Sequence, residues 1–220
     1  MIATFPPRPG PMRPLLPLVL ALALPPLASP LTGCGSGASA PDHAALRADW
    51  EAWRASRDSL YAAPDGPVAP ALRDSFPGLA YFAYDSTLAV RASLQPALGA
   101  DTLLLGTSTG EPRPVVASGV LAFRGPDGRP HRLTAYLQLG PAAGEAELFV
   151  PFRDQTTGRE TYGGGRYLDL RPGPDGSIAL DFNRAYHPTC VVDPSFSCPL
   201  PPPQNALEMA VTAGERFPEG

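Results

Sequence analysis

The side chains able to do chemistry are concentrated between Phe149 and Cys198, which include three consecutive glycines and two of the three cysteines. Carboxylates can act as general acids or bases, and arginine binds carboxylates and phosphates through paired hydrogen bonds. The candidate catalytic residues are Asp154, Glu160 and Asp181. The candidate ligand-binding residues are Arg153, Asp154, Tyr162, Arg166, Tyr167, Asn183 and Arg184.

Two of these residues are predicted to form an inward-facing ion pair. Alternation along a strand puts Asp154 on the same face as Phe152, and Arg166 on the same face as Leu168. The glycine-rich connection 155–165 returns the chain, so the two strands should be hairpin neighbours. Because an inward charge is costly unless paired, we expect Asp154 and Arg166 to be partners at the end of a barrel.

The cysteines allow a metal site or a disulfide. His187, Cys190 and Cys198 are three residues of the types that bind zinc. In an exported protein, however, one lipidated cysteine and two paired ones account for all three, which favours a Cys190–Cys198 disulfide. Serines lie close to His187, but no nucleophile-elbow motif is present. We predict no metal and no cofactor.

The elements that must position these residues are short strands. From Leu79 onwards, alternating runs of four to ten or so residues are separated by turns, and Gly-Pro-Asp-Gly occurs at 125–128 and at 173–176. The last run is 206–213. The pattern predicts a mainly β fold, an antiparallel β-barrel or sandwich of about eight or nine short strands with an N-terminal α-helix.

The predicted helix follows Asp42, a good N-cap, and continues without a breaker to Ala62. Apolar residues recur along it at near-helical spacing, which favours a packed face over a ligand platform. They are Leu46, Trp50, Trp53 and Leu60.

The N-terminus has the pattern of an export signal. Arginines precede the apolar run Leu15–Leu24, which is shorter than the about 20 residues that span a bilayer, and Leu-Thr-Gly-Cys34 follows. We interpret 1–33 as a lipoprotein signal peptide, 34–41 as a flexible tether and 42–220 as one domain; the alternative is an ordinary secretory signal. The lipid at Cys34 would anchor the protein to the cell envelope, on the periplasmic face or the cell surface.

The charge of the chain limits the classes of partner that it is expected to bind. The formal net charge is −4 and the arginines are scattered, which argues against nucleic-acid binding. The expected partners are the membrane, through the anchor, and a small-molecule ligand.

The stretch from Phe149 to Cys198, which we call the motif-rich stretch, resembles the DUF1684 family, a domain of unknown function. The resemblance covers roughly Arg47 to Arg216. The matching segments are Phe152-Arg153-Asp154, Thr156-Thr157-Gly158, Glu160-Thr161-Tyr162, Gly165-Arg166-Tyr167, 181–186, Cys190, Ser197-Cys198-Pro199, Pro202, Asn205 and Ala213-Gly214-Glu215. His187 stands where the resemblance implies asparagine. The family implies no activity, so the residues favour a binding module for a small polar or anionic ligand, in a site built from residues 152–186. The alternatives are a hydrolase that uses Asp154, Glu160 or Asp181, and a structural envelope lipoprotein.

The lipobox generates the first testable prediction. When the full-length chain is expressed in a bacterial host with a clickable palmitate, the protein should be labelled and partition into membranes. Cys34→Ala should abolish both, because the cysteine is the only acceptor in this motif, whereas Cys190→Ala should leave both unchanged. Labelling that survives Cys34→Ala would refute the lipoprotein interpretation.

Overall fold

The computed structural model describes residues 42–99, 101–139, 147–173 and 175–218. The predicted signal peptide, the tether and Cys34 lie outside these residues. The described chain has one α-helix, α1 (His43–Ala62), followed by nine strands joined by turns and short 3₁₀ segments. None of the helical segments among the described residues has the length and apolarity needed to cross a membrane.

Helix α1 begins as predicted and packs partly as predicted. The Asp42 carboxylate accepts hydrogen bonds from the backbone N–H groups of Ala44 and Ala45, at 3.0 and 3.2 Å. Trp50 is buried, but Leu60 is 54% exposed and Tyr61 is buried in its place. Tyr61 is eleven residues after Trp50, about three full turns, whereas Leu60 lies roughly 80° away around the helix axis. The prediction for Leu60 was therefore wrong.

The strands form one large sheet and one small one. They are β1 Ala80–Tyr81, β2 Ala89–Pro96, β3 Thr102–Leu105, β4 Arg113–Arg124, β5 Pro130–Gln138, β6 Leu148–Phe152, β7 Arg166–Leu170, β8 Ile178–Asp181 and β9 Glu215–Arg216. The large sheet has the order β7-β6-β5-β4-β2-β8, with β3 also paired to β4, and every pairing is antiparallel. The small sheet pairs β1 with β9.

The large sheet curls into a nearly closed antiparallel barrel. Its two outermost strands, β7 and β8, are consecutive in the chain, and the second Gly-Pro-Asp-Gly turn lies between them. A single bridge, Pro172 to Ile178, and a hydrogen bond from Gly173 N to Ser177 O of 2.7 Å hold this turn. The first such turn joins β4 to β5. The predicted mainly β fold with an N-terminal helix is confirmed.

The strands of the motif-rich stretch lie between two apolar clusters. All five residues of β6 are buried. Val150 and Phe152 pack in the main barrel core, whereas Phe149 packs against Tyr136 and Tyr167 in a second cluster. Alternate side chains of a strand point to opposite faces, so burial on both faces fixes the position of β6 and of its partner β7.

The predicted last strand, 206–213, does not join a sheet. Its side chains alternate as a strand's do, and Leu207, Met209, Val211 and Ala213 are all buried in the main core. Its first half bonds the backbone of residues 153–155, from Leu207 N to Arg153 O and from Gln155 N to Met209 O. Its second half is bonded by the side chains of Asp154 and Arg166, and regular pairing begins only at β9. Period-2 burial correctly predicted the extended shape and wrongly predicted ladder pairing.

Candidate functional site

Asp154 and Arg166 form the predicted ion pair, and it is buried. Arg166 Nη2 lies 3.0 Å from Asp154 Oδ2, and both side chains are at most 1% exposed. Phe152 is directly opposite Arg166 in the β6–β7 pairing, so the two strands are hairpin neighbours as predicted. Burial lowers the pKa of Arg166 from its ordinary value, against the attraction of Asp154.

The two amino groups of the Arg166 guanidinium, Nη1 and Nη2, also bond the C-terminal segment. Nη1 donates to the carbonyl oxygens of Ala213 at 2.5 Å and Glu215 at 3.0 Å, and Nη2 donates to that of Val211 at 2.7 Å. Asp154 Oδ1 accepts from the backbone N–H of Val211 at 3.2 Å. The pair therefore takes the place of a neighbouring strand for residues 211–213, whereas Gly214 and Glu215 also bond the backbone of Phe82 and Ala185.

Asp181 and Asn183 form a second buried network. Asp181 Oδ1 accepts from the backbone N and from Nδ2 of Asn183, at 3.0 and 2.8 Å. The Asn183 amide also bonds both the N–H and the C=O of Asp85, each at 2.8 Å. Burial raises the pKa of Asp181, and these donors oppose the shift. The two residues connect the end of β8 to the start of the turn before β2.

The remaining predicted site residues are not brought together. Arg184 is exposed, with its guanidinium 5.9 Å from the Trp53 ring of α1, and Glu160 is exposed on the loop after β6. Arg153 is half-buried, and its Nε has no hydrogen-bond partner among the described residues. The three predicted arginines, including Arg166 in the interior, therefore do not share one surface.

The two tyrosines lie near the cysteines. Tyr167 is buried and donates to the carbonyl oxygen of Pro199 at 2.5 Å, and burial raises its pKa. Tyr162 is half-buried, with its hydroxyl 4.0 Å from Cys190 Sγ. Both tyrosines therefore lie next to the cysteine pair.

Cys190 and Cys198 are neighbours but are free thiols in the structure. The backbone N of Cys190 donates to Cys198 Sγ at 3.2 Å, and burial raises the pKa of Cys198 to about 12. The predicted disulfide is thus not formed here, and the pairing stays a prediction. In the described part of the chain, no three His, Cys, Asp or Glu side chains are placed to hold a metal.

An apolar cavity of about 240 Å³ lies beside this region. Tyr61 of α1 lines it, together with residues from segments 72–80, 187–192 and 215–218. Most lining side chains are apolar, among them Leu72, Phe76 and Val191. Concave, largely apolar cavities with a few polar groups are the usual form of small-molecule sites.

The polar groups at the cavity are already compensated by the protein. Glu215 is 1% exposed; its Oε1 accepts from Arg57 Nε at 2.5 Å and its Oε2 from the His187 backbone N at 2.7 Å. Burial raises the pKa of Glu215, and the attraction of Arg57 opposes this shift. The Arg57 guanidinium also lies 4.6 Å from the Tyr186 ring centroid and 5.1 Å from that of Tyr61, within cation–π range.

His187 forms part of the cavity wall as a neutral ring. Its Nε2 accepts a hydrogen bond of 3.3 Å from the backbone N of Tyr162, so the ring proton belongs on Nδ1. Burial, and then the positive charges of Arg166 and Arg57, lower the pKa of His187 to about 3. Its ring also packs 5.0 Å from that of Phe217. The backbone of Tyr162 in the motif-rich stretch therefore fixes the His187 ring that lines the cavity.

Sequence reasoning did not find this cavity. Of its lining residues, only His187 had been considered for a functional role, as a metal-ligand candidate, and Glu215 had been named only within a segment that resembles the family. The walls come from four segments up to about 150 residues apart, with no motif spacing that links them. The one available signal was the aromatic Tyr61 on the inward face of α1.

The fold and these contacts define a small helix-capped β-barrel protein with an apolar cavity at the junction of helix, C-terminal segment and motif-rich loop. Residues 74–216 match the family described as "Protein of unknown function (DUF1684)", and the chain belongs to this family. The solution NMR structure of an uncharacterized protein from Haloarcula marismortui is similar, with 40% sequence identity and a TM-score of 0.64, over 80% of this chain and 96% of that chain. A comparison with curated proteins finds no significant match.

The buried ion pair generates a stability prediction. Asp154→Asn and Arg166→Met should each lower the free energy of unfolding by about 3–5 kcal/mol, because each leaves an uncompensated buried charge or a set of unbonded carbonyls. The double variant should lose clearly less than the sum, as measured by urea unfolding.

The exposed pair Arg171–Glu147 is the matched control. Its atoms are 2.5 Å apart, but the two side chains are 72% and 34% exposed. Arg171→Met should therefore change the stability by no more than about 1 kcal/mol. Mild and additive effects of the Asp154 and Arg166 substitutions would show that the buried pair does not hold the C-terminal segment.

His187 generates a prediction of pH dependence. Its pKa is about 3 in the fold and 6.5 ordinarily, so the unfolded chain takes up a proton at a pH where the folded chain does not. The stability is full above pH 6.5 and declines as the pH falls towards 3, by about 2 kcal/mol between pH 7 and pH 5 for this group. His187→Asn should remove that part of the slope in denaturation curves. Identical slopes for both proteins would contradict a buried neutral His187.

Proposed function

We propose that this protein is an exported lipoprotein whose barrel domain binds a small ligand with a mainly apolar body in the cavity beside His187. The observation that carries the proposal is the combination of apolar walls with neutralised polar groups. Glu215 is bonded to Arg57, and His187 is uncharged at neutral pH. An apolar ligand would bury these walls at no cost in unpaired charge.

The proposed anchor would keep the domain near a membrane. Residues 34–41 would link a lipidated Cys34 to the N-cap of α1 at Asp42. A fully extended segment of this length reaches about 28 Å, at roughly 3.5 Å per residue. The domain would therefore stay close to the envelope surface, where apolar metabolites and lipid fragments are concentrated.

The positions of the predicted site residues support a binding protein over a hydrolase. Asp154 is committed to Arg166, and Asp181 accepts from Asn183. Glu160 is exposed, and its carboxylate is close enough to Arg166 to attract that buried charge. A site for a polar ligand built only from residues 152–186 gains less support, because the amino groups of Arg166 are already bonded to protein oxygens. The apolar cavity is the more favourable place for a ligand.

Octan-1-ol tests the proposal, because it is neutral and mainly apolar. Titration calorimetry on the purified full-length protein should show saturable binding, and the melting temperature should rise with ligand concentration. Val191→Trp should weaken this binding at least tenfold, about 1.4 kcal/mol, because the larger side chain would fill the cavity.

The control is Leu104→Trp, which adds the same ring at a residue that is 65% exposed on β3. It should leave octan-1-ol affinity unchanged. Binding that is equally strong in Val191→Trp would place the ligand elsewhere, and absence of saturable binding would favour the structural envelope alternative.

A further inference from the structure

We propose that the ligand of this cavity is an amphiphilic carboxylate, with its apolar chain beside His187 and its carboxylate at Arg73. The inference rests on the proposed function, because the chain would occupy the same apolar cavity. It adds the chemical class of the head group and the residue that selects it.

A second cavity adjoins the first. It has a volume of about 520 Å³ and is lined by Asp58 and Arg73 as well as apolar residues. The two cavities share Tyr61 and the segment Phe76–Leu79, which we call the strap. A molecule that bridged the strap would have one end among apolar side chains and the other beside charged ones.

The strap is packed at its two ends, where Phe76 and Leu79 contact an apolar cluster that includes Tyr61, and its middle is weakly tethered. The backbone groups of Gly78 and Leu79 form no hydrogen bond with any residue in the described ranges. Gly78 has φ +90°, and a Cβ built there would meet nothing within 4 Å. Few bonds and open surroundings are the features of a segment that shifts at low cost. The strap can therefore yield to a ligand that passes from one cavity to the other.

Arg73 supplies an uncompensated positive charge in the second cavity. Its Nη1 and Nη2 donate to the carbonyl oxygens of Ala63 and Gly66, both at 2.9 Å. No carboxylate lies within salt-bridge distance of Arg73 among the described residues. A guanidinium has five N–H donors, so several remain for a ligand. They favour an anion that accepts two parallel bonds.

The one acidic side chain of this cavity is already paired. Asp58 Oδ1 accepts a hydrogen bond of 2.9 Å from the Tyr81 hydroxyl, and Asp58 Oδ2 lies 3.7 Å from Arg54 Nε. Its charge is thus offset from within the protein, whereas that of Arg73 is not. The balance of charge favours a carboxylate head and disfavours an ammonium head.

Three ligands with the same chain and different heads test this inference: octanoate, octan-1-ol and octylammonium. At neutral pH, below their critical micelle concentrations, calorimetry on the full-length protein should give at least tenfold tighter binding for octanoate than for octan-1-ol, with octylammonium weakest. Arg73→Gln should reduce octanoate affinity to that of octan-1-ol and leave octan-1-ol unchanged. Arg171→Gln, which removes a 72% exposed arginine that lines neither cavity, should change neither.

The outcomes separate this inference from the proposed function. Equal affinities for octanoate and octan-1-ol that Arg73→Gln does not alter, both lost in Val191→Trp, would overturn the inference and leave the proposed function standing. If none of the three ligands binds, both fall. If Arg73→Gln loses octan-1-ol as well, Arg73→Lys decides: a restored preference for octanoate supports the carboxylate site, and recovery of both ligands without preference overturns it.

Discussion

The guanidinium of the interior residue Arg166 makes the contacts on which the position of residues 211–215 depends. It replaces a neighbouring strand by bonding the carbonyl oxygens of Val211, Ala213 and Glu215. A charge in this position is tolerated because Asp154 neutralises it and the surrounding carbonyls satisfy its amino groups. The segment that Arg166 bonds leads directly into three residues that line the cavity: Glu215, Arg216 and Phe217. The position of the cavity wall therefore also depends on Arg166.

This dependence explains why the stretch richest in polar residues is mainly structural. Its buried polar side chains form hydrogen bonds with backbone groups or with one another; they are Asp154, Arg166, Asp181 and Asn183. Unpaired backbone groups in a core are costly, so irregular connections in a small barrel need polar side chains to bond them. Their hydrogen bonds fix the backbone around a cavity whose walls are mainly apolar.

Helix α1 joins the barrel through charge and aromatic faces more than through apolar burial. Only Trp50 and Tyr61 of the helix are buried. Arg57 reaches Glu215 and lies over the rings of Tyr61 and Tyr186, while the Arg54 guanidinium is 4.7 Å from the Tyr81 ring. Cation–π contacts and a buried ion pair tie the helix to the small β1–β9 sheet. These contacts therefore hold together the helix and the C-terminal segment, which both line the cavity.

What the sequence alone determined about this protein was local. Asp42 caps its own helix, the Gly-Pro-Asp-Gly turn at 125–128 joins adjacent strands, and Asp154 and Arg166 are twelve residues apart on hairpin neighbours. Each depends on periodicity or turn chemistry within a short span, which a sequence displays directly. Only the tertiary structure decided that the second half of 206–213 is bonded by the side chains of Asp154 and Arg166, and that Tyr61, Arg73, His187 and Glu215 line two adjoining cavities. Those contacts join residues far apart in the chain, so no local pattern specifies them; the closure of the barrel and the packing of α1 do.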